Sequence, residues 1–118
     1  MSKKVLTIME KCEPFFEILK DSERRKIVLT LSENGPMTVN EITNNSHLSR
    51  PAISHHLKLL KTVGIINSEK RGTNNFYYAS LDTAITYMKE AILELEKCNE
   101  ENKLKIKKYM EEKLWFGH

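Results

Sequence analysis

The sequence contains few of the residues that cross-link or stiffen a chain, with two cysteines, three prolines and four glycines among 118 residues. Cys12 and Cys98 lie near opposite ends without a Cys-x-x-Cys motif, which fits the reducing cytoplasm better than a disulfide scaffold. No uninterrupted apolar run reaches about 18 residues, so no transmembrane helix is predicted. The opening MSKKVLTIMEKCEPFF lacks a small-residue cleavage site and is interpreted as mature protein.

A strong excess of one charge is also missing. The net charge is +3 with 30% charged residues, which does not by itself indicate a nucleic-acid partner. The cations are nevertheless segregated, since residues 50–71 contain one acidic residue, Glu69, and five basic ones: Arg50, Lys58, Lys61, Lys70 and Arg71. A basic middle between mixed-charge ends indicates an anionic partner for that segment.

The first third of the chain predicts two helices. Residues 3–19 carry apolar side chains at helical spacing, and Pro14 is expected to split this stretch into an arm and the start of a further helix. Asp21 is a good N-cap for a helix over residues 22–32, which Asn34-Gly35-Pro36 should end.

The middle of the chain predicts a helix-turn-helix. Thr38 and Glu41 have the spacing of a capping box that opens a short helix. After a turn, Ser49 is the expected N-cap of a second helix that runs to Val63 and stops at Gly64.

Two strand-like runs, 65–71 and 75–80, flank Gly72-Thr73-Asn74 and predict a hairpin. From Asp82 onward an amphipathic pattern predicts either one long helix or two with a weak polar joint. The expected fold is therefore mainly α with a small β-hairpin, a winged helix-turn-helix between long terminal helices. It forms a single domain over 1–118, divided into an N-terminal arm (1–20), helix-turn-helix (38–63), wing (65–81) and C-terminal helix (82–115).

The second helix of this motif has two chemically different faces. Ile53, Leu57 and Leu60 share one face. The opposite face carries Arg50, Pro51, Ser54, His55 and Lys58. Base edges require donors and acceptors on short or rigid stems, and phosphates require cations and helix N-terminal amides. The polar face is therefore predicted to contact DNA.

Catalysis by the same cluster is not expected. Adjacent histidines diverge on a helix, so His55 and His56 cannot hold one metal together. No carboxylate or nucleophile is close to them in sequence, and the chain is predicted not to be an enzyme. His56, at the margin of the apolar face, is expected to be a hydrogen-bonded structural residue.

The order of these features resembles the ArsR family, the arsenic-repressor-like winged helix-turn-helix transcriptional regulators. The resemblance covers about residues 14–82 and rests on Asp21 and Arg24, Leu48-Ser49, the pattern Ser54-x-His56-Leu57-x-x-Leu60, Gly64, and Tyr77-Tyr78 before Leu81. It implies a dimeric DNA-binding repressor that an inducer releases from its operator. It also implies that the first and last helices form the dimer interface.

Two metal sites known in that family are tested by the sequence. Thr38 and Asn40 occupy the positions of a Cys-x-Cys thiolate pair, and neither is a thiol. The second site is formed in the last helix by an Asp-x-His pair and, after ten intervening residues, a His-x-x-Glu pair. Only its Asp is present here, as Asp82, since the other three positions are Ala84, Leu95 and Cys98. No metal and no cofactor are therefore expected.

The predicted partners are double-stranded DNA and a second copy of the chain, with no membrane. Two such helices would read an inverted repeat in major grooves about 34 Å apart. The wing departs from the family, with Thr73-Asn74-Asn75 after the tip glycine, so Lys70 and Arg71 are its candidate phosphate contacts. The full set of expected DNA contacts is Ser49, Arg50, Pro51, Ser54, His55, Lys58, Lys61, Lys70, Arg71 and Asn74.

Two alternatives stay open from the sequence. One is a protein-interaction module that reuses the fold without reading DNA, suggested by apolar end helices that include Trp115-Phe116. The other is a thiol-responsive regulator that uses Cys12 and Cys98. The operator, the regulated genes and the inducer are not specified by the sequence.

Overall fold

The computed structural model describes the backbone of residues 3–116 and the side chains of residues 3–113. The side chains of Trp115 and Phe116, on which the interaction-module alternative drew, lie outside the described residues. The elements are α1 (Lys3–Ile18), α2 (Ser22–Asn34), α3 (Val39–Asn44), α4 (Arg50–Thr62), β1 (Ile66–Arg71), β2 (Asn74–Ala79) and α5 (Asp82–Phe116). The prediction of a mainly helical chain with one antiparallel hairpin is confirmed.

The three predicted N-caps are confirmed, because each depends only on neighbouring residues. The Asp21 carboxylate accepts from the amides of Glu23 and Arg24, and the Ser49 hydroxyl accepts from the amide of Ala52. Thr38 forms the complete capping box with Glu41 at the start of α3. These contacts satisfy amides that a helix start leaves without partners.

The predicted break at Pro14 is wrong, since α1 continues through it to Ile18. Val5, Ile8, Cys12 and Phe15 are buried on both sides of the proline, and α1 packs along α5. Pro14 itself is exposed, so the carbonyl that loses its amide partner faces solvent. Packing against α5, which is distant in sequence, therefore accounts for the continuity of α1 through Pro14.

Several predicted boundaries shift by one or two residues. Helix α2 runs to Asn34 before Gly35 turns with φ 76°, and α4 ends at Thr62, two residues before Gly64 at φ 80°. Strand β1 begins one residue later than predicted and β2 is displaced by one residue towards the N-terminus, which leaves Gly72-Thr73 as a two-residue hairpin loop. Gly72 has φ 62°, the conformation that a glycine supplies at the first position of such a turn.

A segment outside the hairpin also pairs with the wing through its backbone, which was not predicted from the sequence. The amide and carbonyl of Met37 pair with those of Tyr77 at 2.9 and 2.8 Å, as an isolated antiparallel bridge. The segment before α3 therefore lies alongside β2. This bridge fixes the wing to the helix-turn-helix.

The apolar residues form two clusters. The winged core is centred on side chains that are almost completely buried: Leu31, Ile53, Leu57, Leu60, Ile65 and Ile66. A smaller cluster joins α1 to α5 through Ile8, Cys12 and Ala91. Tyr87 and Met88 pack against both clusters. The terminal-helix layer is thus joined to the winged core through Tyr87 and Met88 of α5 and through Phe15 of α1, which is itself part of the winged core.

The C-terminal helix is one helix of 35 residues, which settles the alternative that the sequence left open. Its first half packs on α1, whereas every described side chain from residue 99 to residue 113 is exposed. The molecule is 75 Å long as a result.

Candidate DNA-binding interface

Helix α4 presents the two faces that the sequence predicts. Ile53, Leu57 and Leu60 are 0%, 1% and 0% exposed, so the apolar face is sealed into the winged core. The residues proposed as DNA contacts on this helix and its cap are all exposed: Ser49, Arg50, Pro51, Ser54, His55, Lys58 and Lys61. A helix with one face fixed and the other open has the geometry required to enter a major groove.

Arg50, the first residue of α4, is held by α3. Its Nε donates to the side-chain oxygen of Asn40 at 3.0 Å, across ten positions of sequence. Both residues are exposed. Asn40 is neutral, so this contact orients the guanidinium without cancelling its charge.

The other cations differ in their local partners. Lys61 donates to the hydroxyl of Ser68 at 2.7 Å, and Arg71 pairs with Glu69 at 3.1 Å. Both pairs are exposed, so water and salt weaken them and their cations remain accessible to phosphate. Lys58 and Lys70 are exposed and have no side-chain partner among residues 3–113.

The wing tip lies beside the start of α4. Thr73, Asn74 and Asn75 line a cleft of about 130 Å³ together with Asn40 and Arg50. The structure therefore brings the predicted Asn74 next to the predicted Arg50. Lys61, by contrast, is located towards the base of the wing, where Ser68 lies on β1.

The prediction that His56 is hydrogen-bonded is wrong for its ring Nδ1, which is buried and has no hydrogen-bond partner among the residues that the structure describes. His56 lies between the buried and open faces of α4, and the exposed His55 ring is 6.0 Å from it, centroid to centroid. The hydrogen bond from the Arg24 amide is the main cause that lowers the pKa of Asp21; burial acts in the opposite direction, and the Glu23 amide and the charge of Arg24 lower it further.

Sequence reasoning missed Asn40 and Asn75. Asn40 was considered only as a replaced metal-ligand position, although it contacts Arg50. Asn75 pairs with Lys70 across the hairpin and faces the same cleft as Asn40. No local spacing rule links α3 to the wing, and only the polar composition of both segments pointed to them.

The two cysteines lie in different environments. Cys12 is 0% exposed beside Ile8 and Ala91, and burial, followed by the charge of Glu90, raises the pKa of its thiol. Cys98 is half-buried and lines a groove between α1 and α5 with Val5 and Met9. A raised pKa reduces the thiolate fraction, so Cys12 is a poor redox centre.

Among the described residues, no three His, Cys, Asp or Glu side chains come together as a metal-binding group. Nor is any helix between residues 3 and 116 both long and apolar enough to cross a membrane.

The model of the family described as bacterial regulatory protein, arsR family, matches residues 21–68, which include α2, α3, α4 and the start of the wing. An uncharacterized HTH-type transcriptional regulator of Methanocaldococcus jannaschii is 47% identical over 73 residues, which cover 59% of this chain and 82% of the relative. This chain belongs to the arsR family. The transcriptional repressor SdpR of Bacillus subtilis is 40% identical over 70 residues, which cover 59% of this chain and 74% of SdpR.

Solved ArsR-family structures share the fold. The crystal structure of one ArsR-family transcriptional regulator has a TM-score of 0.67 and 25% identity, covering 77% of this chain and 92% of that one. The homodimeric winged helix-turn-helix DNA-binding domain of a Mycobacterium bovis protein has a TM-score of 0.61 and 19% identity, covering 85% of this chain and 93% of that one. This ArsR-family chain is a DNA-binding transcriptional regulator and not an enzyme.

Proposed function

We propose that this ArsR-family regulator is a homodimeric repressor that binds an inverted-repeat operator in the cytoplasm. The observation that carries the proposal is the open polar face of α4, opposite Ile53, Leu57 and Leu60 in the core. Base edges would be read near Arg50, Ser54 and His55. The DNA phosphates would be bound by four cations, Lys58, Lys61, Lys70 and Arg71. Ser49, Pro51 and Asn74 would lie close to the sugar-phosphate backbone of the DNA.

Dimerisation is supported by the apolar side chains that α1 and α5 expose. They include Leu6, Met9, Phe16, Ile85, Ile92 and Leu95. Monomeric proteins rarely expose many large apolar side chains together, and a second copy would bury them. SdpR is named as a repressor, which supports repression as the function of this chain. The Mycobacterium bovis domain is named as a homodimer, which supports dimerisation.

Operator spacing favours one arrangement of the dimer. Half-sites one helical turn apart place each recognition helix about 17 Å from the two-fold axis. If the two α5 helices pair antiparallel with Ile85 opposite Leu95, the axis passes near residue 90. Asp82 then lies about 12 Å from the axis along α5, because an α-helix rises about 1.5 Å per residue. Pairing through the C-terminal half instead would separate the two winged cores much further.

The repressor is proposed to lack both metal sites considered above. Thr38, Asn40, Ala84 and Leu95 provide no thiolate, imidazole or carboxylate at the required positions. A response to an inducer would therefore use other chemistry, and no cofactor is proposed.

The test is selection of bound genomic fragments by the full chain, followed by gel shifts at 50 and 200 mM salt, concentrations chosen to separate ionic from base-specific binding. We expect an inverted repeat to be enriched and to survive the higher salt better than random DNA. Enrichment without any shared sequence would contradict the proposal.

A protein-interaction module is the second candidate, because α5 exposes Leu104, Ile106, Tyr109 and Met110 beyond α1. If no fragment is retained even at the lower salt, the interaction module is favoured instead. The thiol-responsive alternative has less support, since Cys12 is buried beside Ile8 and Ala91, whereas Cys98 lines the groove beside Val5 and Met9.

A further inference from the structure

We propose that Asn40 is a positioning residue that determines how Arg50 reads the operator. This inference deepens the proposed function and rests on it. The observation is the hydrogen bond from Arg50 Nε to Asn40 Oδ1 at 3.0 Å, which joins α3 to the first residue of α4.

The contact occupies one defined edge of the guanidinium. An arginine has five N–H groups in a fixed planar fork, and bonding at Nε leaves those of the two terminal nitrogens. Guanine presents two acceptors, O6 and N7, to such a pair of donors in the major groove. By binding Nε, Asn40 therefore leaves the two terminal nitrogens of the Arg50 guanidinium to contact the base.

Both ends of this contact are fixed by their helices. Asn40 lies in the first turn of α3, which the Thr38–Glu41 capping box holds. Arg50 lies between the N-cap Ser49 and Pro51, whose ring fixes its own φ angle. Because the two backbones are constrained, the hydrogen bond orders a long side chain that would otherwise sample many rotamers in solvent.

The charge of Arg50 is preserved by this arrangement. The other residues around it in the cleft are Thr38, Val39, Thr73, Asn74 and Asn75, none of which carries a charge. The guanidinium is thus oriented by neutral groups and keeps its full attraction for DNA. An acidic partner would give the same orientation but would weaken this attraction.

The experiment uses the full chain, a duplex pool with a randomised centre, and the wild type with three single variants and one double variant. Arg50→Ala should lose the preference for guanine at one position of each half-site, by about 5- to 100-fold. Asn40→Leu keeps the shape but removes the acceptor, and should lower that same preference on the order of 2- to 10-fold. Asn40→Asp keeps an acceptor, so it should retain the preference for guanine. Its added negative charge should make the slope of log K against log salt concentration shallower by about one unit.

Thermal unfolding of each variant is measured alongside, and binding is compared per folded molecule. In an Arg50→Ala background, Asn40→Leu should have no further effect on base preference. An unchanged preference in Asn40→Leu, or an equal loss for every sequence, would overturn the role of Asn40 while leaving the repressor intact. Failure of the wild type to select any sequence would instead overturn the proposed function.

Discussion

Asp21 shows how one residue stabilises a junction between two helices. Its carboxylate caps α2 through the amides of Glu23 and Arg24. Arg24 in turn donates through Nε to the carbonyl of Ile18, the last residue of α1, at 2.6 Å. Arg25 donates to the carbonyls of Leu19 and Lys20 at 2.6 and 2.9 Å. The Asp-x-x-Arg pattern of the family is therefore used here for structure at the α1–α2 turn.

Protonation of Asp21 should weaken this junction. The amide of Arg24 is the main group that lowers the pKa of Asp21, so folding favours its charged form. Its contribution is complete above the unfolded pKa of about 3.9 and is lost as the pH falls through the lower folded pKa. We expect Asp21→Asn, which keeps a capping oxygen, to unfold with a flatter pH dependence below about pH 4.

Thermal denaturation between pH 2 and pH 6 measures this effect, with Asp82→Asn as a matched control at the start of α5. Identical curves for Asp21→Asn and the wild type would show that the cap does not contribute to the acid dependence.

At the scale of elements, the helix caps were predictable because they depend on local chemistry. The continuity of α1 was not predictable because it depends on packing against a distant helix. Asp21, Thr38 and Ser49 were recognised because capping involves residues two or three positions apart. The continuity of α1 through Pro14 depends on α5, which no local pattern reveals.

The candidate site divides in the same way. The open face of α4 follows from helical periodicity, which a single sequence contains. The Asn40–Arg50 hydrogen bond and the Met37–Tyr77 bridge join segments across turns whose path is set by the whole fold. Neither has a sequence pattern that would have predicted it.

The register of α5 in the proposed dimer is testable by cross-linking. In a Cys98→Ser background, a mixture of Ile85→Cys and Leu95→Cys chains should form an inter-chain disulfide under mild oxidation. Each variant alone should not, because antiparallel pairing about residue 90 separates identical positions by about 15 Å. Both side chains are exposed in the single chain, at 42% and 44%, and are available for pairing.

Non-reducing electrophoresis of the two single variants and their mixture distinguishes the arrangements. Efficient disulfides in Leu95→Cys alone would indicate parallel helices. Cross-linking of Leu95→Cys with Ile106→Cys instead would move the axis towards the C-terminal half.

At the scale of the whole molecule, operator binding should depend on the dimer face. Ile92 is 54% exposed on α5 and does not contribute to the winged core. Ile92→Glu should therefore leave the chain folded but dissociate the dimer, because two carboxylates would be buried at the interface. Affinity for a complete inverted repeat should fall on the order of 100-fold, as bivalent binding is lost.

Analytical ultracentrifugation and gel shifts on the same samples measure both effects. Leu104→Glu is the control, since Leu104 is 70% exposed on the C-terminal half of α5, away from the proposed pairing. A dimer that survives Ile92→Glu with full operator affinity would place the interface elsewhere.

The division into two apolar clusters has a consequence for regulation. Ile8, Cys12 and Ala91 form a layer that meets the winged core through Tyr87 and Met88. The Tyr87 ring is 6.2 Å from that of Phe15, centroid to centroid, and Lys11 lies over its face. A molecule that acts on the terminal helices would be expected to affect the proposed DNA-binding face of α4 through these packed residues. Phe15 of α1, together with Tyr87 and Met88 of α5, thus forms the contact region through which a change in the terminal helices would reach the winged core.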